Sequence, residues 1–96
     1  MTIQTLTQRS YRGVTDPVEV AKLVNQLVDQ LSWANYVETT DQLEGIYDVG
    51  FELEVLAQSV NLIATLNDLA RYAPTPEVQR AILSVLFRLA LKFTSY

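Results

Sequence analysis

The 96-residue sequence contains no cysteine and no histidine. Without cysteine there is no disulfide framework, no thiolate metal ligand and no thiol nucleophile. Without histidine the commonest general base is missing, as are the usual nitrogen ligand for metals and every Ser-His or Cys-His arrangement. The Glu-x-x-His pairs that build dinuclear carboxylate sites in helical bundles fail for the same reason. With three glycines and no GxGxxG or GxxxxGK[ST] stretch, no loop is suited to cradle a phosphate. Basic residues number 7 against 11 acidic ones, for a net charge of −4. Duplex nucleic acid needs clustered Lys and Arg, so it is not an expected partner, and a charge this modest does not suit a mimic of nucleic acid either. The opening residues carry no basic-then-apolar leader pattern. The expectation from these absences is a non-enzymatic, cytoplasmic protein with no cofactor and no metal.

What is present is apolar. Hydrophobic residues make up 49% of the chain, and its length corresponds to one domain. A chain of this size buries roughly two-thirds of its unfolded surface, so it gains much by association. Residues 1–14 are rich in Thr, Gln and Ser and lack helical periodicity, which suggests a flexible or extended arm ahead of a single helical domain over 15–96. Arg9, Tyr11 and Arg12 in the arm have the residue types of a short docking motif, although a frayed terminus is the preferred reading.

The stretch around which the rest is organised is the last one, Thr75 to Phe93. Thr75 can cap, Pro76 suits the first helical position, and Glu77 complements the positive end of the helix dipole. At 100° per residue, Glu77, Arg80, Ser84, Arg88 and Lys92 share one polar stripe. Val78, Ile82, Val85, Leu86, Leu89 and Phe93 form the core face opposite. A third arc of Leu83, Phe87 and Leu91 is surplus, and a contiguous exposed apolar patch marks an interface. Three readings compete: a helix enclosed by its own chain, a helix shared across a homodimer, and a membrane-surface helix with Arg80, Arg88 and Lys92 toward headgroups. The shared helix leads, because a small chain has little of itself to wrap with. A membrane span does not fit, since Arg88 and Lys92 interrupt a run too short to cross about 30 Å of hydrocarbon.

In chain order, Thr15-Asp16-Pro17 opens a helix over about 16–34, in which Val20, Leu23, Val24, Leu27, Val28 and Leu31 recur at three- and four-residue steps. If that helix continues, Trp33 and Tyr36 fall on its wet side as candidate partner contacts. The preferred alternative ends it near Ser32 and folds Trp33 over the core. Thr39 and Thr40 offer caps for a second helix over about 41–72, Thr39 and Gln42 at capping-box spacing. Three apolar columns run through it at seven-residue spacing: Ile46, Leu53, Val60; Val49, Leu56, Ile63, Ala70; and Gly50, Ala57, Ala64. Phe51 falls in an opposite column with Gln58, Thr65 and Tyr72. These columns predict one helix of about 30 residues, roughly 45 Å long. The small residues Gly50, Ala57 and Ala64 would let a neighbouring backbone pack closely, and a kink at Gly45 or Gly50 is the main threat to continuity. Ala73-Pro74-Thr75-Pro76 then stops the chain and restarts it antiparallel, over about 76–94.

Asp41, Glu44, Asp48 and Glu52 step by three, four and four along one face. They suit a solvated face first, and otherwise a docking face for a basic partner or a weak cation site. The acids can also pair with Arg80 and Arg88, within or between chains. The expected fold is all-α, an antiparallel three-helix bundle with a long central helix, completed by dimerisation. The expected function is a protein–protein interaction module that binds itself and another protein, as an adaptor, assembly factor or regulator. The alternatives are a peripheral membrane protein using the basic-striped last helix, and a helical bundle holding an apolar ligand near Phe87 and Leu91.

Overall fold

The computed structural model describes residues 14–94, and among them the fold is all-α. Arg9, Tyr11 and Arg12 lie outside the described residues, as does nearly all of the arm. Helix α1 spans Pro17–Asp29. Asp16 caps it from an extended conformation, its Oδ1 accepting the Val18 N–H at 3.0 Å, with Pro17 in the first turn. Val20, Val24 and Val28 line its buried side, Leu31 is buried just beyond its end, and Leu23 and Leu27 pack half-buried beside them.

The helix stops at Asp29 because an asparagine builds the next turn from its side chain. Asn35 Oδ1 accepts the Ser32 N–H at 2.7 Å, and Asn35 Nδ2 donates to the Gln30 carbonyl at 2.8 Å. Helix α2, Tyr36–Ile46, therefore begins ahead of the expected Thr39–Thr40 cap. Both threonines are buried inside it, and the Thr40 hydroxyl donates back to the Tyr36 carbonyl at 2.6 Å.

The long helix expected over 41–72 is not formed. After α2 the backbone takes a wide turn at Tyr47–Phe51, in which Gly50 has φ 108° and ψ 7°. Helix α3 is only Glu52–Ala57, and after Gln58 helix α4, Ser59–Arg71, sets off at 85° to the rod Tyr36–Ala57. Each break shifts the angular phase of the helix after it, so the seven-residue columns do not stay on one face. Phe51, placed by the columns on a polar side, is fully buried. Leu53 and Val60, placed with Ile46 on a core side, are 75% and 79% exposed. The Gly50–Ala57–Ala64 column is not a close-packing seam: Gly50 belongs to the turn, and Ala57 and Ala64 are exposed. What the chain gains is depth of core. The turn swings Phe51 inward against Leu43, Ile46 and Val55 as one cluster with α1, α4 and α5.

Helix α5, Pro76–Thr94, starts as expected, with the Thr75 hydroxyl oxygen accepting the Val78 N–H at 3.2 Å. It returns antiparallel to α4: Gln79 reaches the Ala70 carbonyl near the connection, and Val60 and Ile63 lie beside Ala90 and Phe93 at the far end. The described residues thus form four rods, the second interrupted, in place of the expected three helices.

A residue at φ 108° costs little for glycine and much for any side chain. Gly50→Ala is expected to destabilise the fold by about 1–2 kcal/mol in chemical denaturation. An unchanged midpoint would mean that the turn is not held as described.

Candidate interaction surface

Helix α5 is built from its inner face outward. Ile82, Val85 and Leu89 are buried, and Val78, Leu86 and Phe93 pack half-buried around them. This is the core face read from the sequence. Its register is held at both ends. Near its start, Gln79 Nε2 donates to the Ala70 carbonyl at 3.0 Å. Near its end, two cations meet acids of α2 and of the turn that follows it. Arg88 grips Glu44 with Nε at 3.0 Å from one carboxylate oxygen and Nη2 at 2.8 Å from the other, and lies 3.9 Å from Asp41. Lys92 lies 2.8 Å from Asp48 and 3.7 Å from Glu44, with its ammonium 5.4 Å from the Tyr47 ring centroid. The Tyr47 ring in turn packs on Phe93 at 5.6 Å.

The hydrogen bonds to Glu44 raise the Arg88 pKa above its ordinary value, with partial burial acting the other way and the charges of Glu44 and Asp41 adding to the rise. A raised cation pKa contributes stability that is present below the unfolded value and lost only as pH climbs through the folded one. The Arg88 charge therefore persists across the whole working range of pH. Half of the Arg88 side chain is exposed, so the pair is worth about 1 kcal/mol at most, and its bidentate geometry fixes register more than it stabilises.

These pairs decide the fate of the acidic row. Asp41, Glu44 and Asp48 are brought together, and their counter-charges come from Arg88 and Lys92 of the same chain. Arg80, expected alongside Arg88, has no ion pair among the described residues, and Lys92 takes its place. Glu52 lies past the break and forms no ion pair there. No group of three potential metal ligands converges among the described residues.

Trp33 sits in the turn after α1, off the helix as the preferred reading had it, but it does not fold over the core: it is 43% exposed, and its indole N–H donates to the Leu69 carbonyl at 2.8 Å. The last carbonyls of a helix lack intrahelical donors. Trp33 supplies one for Leu69, and Gln79 and the Ala73 N–H supply Ala70. Trp33 is therefore a clasp between the first connection and the end of α4. Tyr36 is half-buried against the core. Neither role had a signal in the sequence, because each depends on groups that the fold brings from far along the chain.

The outer face of α5 remains. Leu83, Phe87 and Leu91 are 48%, 68% and 56% exposed. They follow each other at four-residue steps, so they form one stripe. Beside its C-terminal half, Leu56, Val60, Ile63, Ala90, Phe93 and Thr94 border an open groove of about 280 Å³. Phe87 and Leu91 do not line this groove. No single helix among the described residues is long and apolar enough to cross a membrane. Compared with known protein families, with curated proteins and with solved structures, the chain gives no match.

The two faces of α5 respond differently to truncation. Leu89→Ala is expected to cost about 2–5 kcal/mol in denaturant unfolding. Phe87→Ser, measured at a concentration low enough to keep the chain monomeric, is expected to change stability by less than about 0.5 kcal/mol. A large loss for Phe87→Ser would place that ring in the core of a single molecule.

Proposed function

We propose that this protein is a non-enzymatic protein–protein interaction module, a small adaptor, assembly factor or regulator that acts as a homo-oligomer. The observation that carries the reading is the stripe of Leu83, Phe87 and Leu91, three large apolar side chains left 48% or more exposed on a helix whose other face packs into the core. Leaving such a stripe in water costs about 25 cal/mol for every Å² that a neighbour could cover. The sequence supports the non-enzymatic part, since it has no histidine or cysteine to act as base or nucleophile.

One observation favours a second reading, a carrier of a small apolar ligand: the groove beside Val60 and Ala90 is lined mainly by hydrocarbon. It is open on the solvent side, which suits a protruding side chain better than an enclosed ligand. The membrane-surface reading has less behind it. Arg88 and Lys92 are turned to Glu44 and Asp48, so Arg80 is the one basic residue of α5 left without an ion pair among the described residues.

Sedimentation of the purified chain from about 1 to 100 μM is the direct test. The expected result is a reversible monomer–dimer equilibrium in that range, abolished by Phe87→Glu with helix content unchanged. A monomer at every concentration would overturn the self-association.

A further inference from the structure

The geometry points to a definite arrangement of the two copies: their α5 helices pair antiparallel about a two-fold axis at Phe87, each Arg80 lying against the C-terminal end of the partner's α5. This rests on the proposed self-association and goes beyond it by fixing orientation and register.

Three features of the outer face carry it. The first is spacing. Leu83 and Leu91 stand four residues either side of Phe87, and Arg80 and Thr94 seven either side. Steps of four and seven keep to one helix face, so the stripe is symmetric about Phe87. A two-fold axis there sets Phe87 against the partner's Phe87 and Leu83 against the partner's Leu91. Arg80 then falls at the level of the partner's Thr94.

The second feature is charge. Arg80, at the edge of the polar stripe, stands seven residues from Phe87 and so borders the apolar one, and it has no ion pair among the described residues, in contrast to Arg88 and Lys92. A parallel pair would press Arg80 against its own copy, and like charges at an interface repel. The antiparallel pair brings it instead to the last turn of a helix, where unsatisfied carbonyls and the negative end of the macrodipole favour a cation. The two helix dipoles also oppose each other in this arrangement.

The third feature is shape. A two-fold axis across the helices keeps the groove side of each α5 on the same side of the pair. Leu83 projects toward that side, and the partner's Leu83 comes level with Leu91, next to the hollow between Val60, Ala90 and Thr94. The groove thereby gains an occupant from the second copy. The largest apolar patch on a typical monomer covers roughly 300–600 Å². That is less than the roughly 800 Å² per partner of a standard interface, which makes the pair reversible.

The absence of cysteine makes the test clean. Single variants Leu83→Cys, Phe87→Cys and Leu91→Cys of the full chain are oxidised at a concentration where the wild type sediments as a dimer. In the antiparallel pair two copies of position 83 are offset by about 12 Å along the axis, beyond the reach of a disulfide. Phe87→Cys is expected to cross-link with itself, whereas Leu83→Cys and Leu91→Cys cross-link only when mixed. Arg80→Glu in the wild-type background is expected to weaken dimerisation about tenfold, since each dimer contains the contact twice. Self-linking of Leu83→Cys or Leu91→Cys as fast as Phe87→Cys would overturn the antiparallel register while leaving the dimer standing. A wild type that dimerises but gives no cross-link at any of the three positions would overturn this arrangement as well. A wild type that never dimerises would remove the proposed function itself.

Discussion

The constraint on which this structure turns is that α5 is apolar around more of its circumference than the other described residues cover. One side is packed by Ile82, Val85 and Leu89 against α4 and the rods before it. The chain spends its other helices on that side alone. Among the described residues no further helix is left to cover the far side.

The rest of the architecture follows from serving that inner face. The wide turn at Tyr47–Phe51 delivers Phe51 to the core, at the expense of a left-handed residue that only glycine occupies cheaply. The turn also sets Asp48 and Tyr47 beside Lys92, so the same local geometry that fills the core anchors the last turn of α5. The clasp of Trp33 on Leu69 holds the end of α4, from which α5 departs, against the first connection. Packing, capping and ion pairing thus act on one object, the pose of α5, and leave its outward side free.

The sequence made legible whatever depends on neighbouring residues. Asp16-Pro17 and Thr75-Pro76 mark helix starts by chemistry contained within a few positions, and both helices start there. The two faces of α5 were legible because that helix is long, uninterrupted and strongly patterned. The segment between them was misread because apolar residues at seven-residue spacing look alike whether or not the helix continues. Gly50 was recognised as a weak point, but one residue at positive φ re-phases everything after it, and Leu53 and Val60 moved from an expected core to the surface. The turn at Asn35 and the role of Trp33 were hidden for a different reason. Each is a side chain satisfying a backbone group, and the partner in the second case is distant in sequence. The acidic row was visible as a row. Its pairing with Arg88 and Lys92 needed the bend that brings α2 alongside α5.

The claim that the outer face of α5 is covered in solution can be tested on the side chains themselves. Hydroxyl-radical footprinting of Leu83, Phe87 and Leu91, followed from sub-micromolar to about 100 μM chain, reads their exposure directly. The account predicts protection at all three that grows with concentration, while the exposed residues Val18 and Tyr72, away from that face, keep a constant rate. Equal modification of Leu83, Phe87 and Leu91 across the whole range would contradict it.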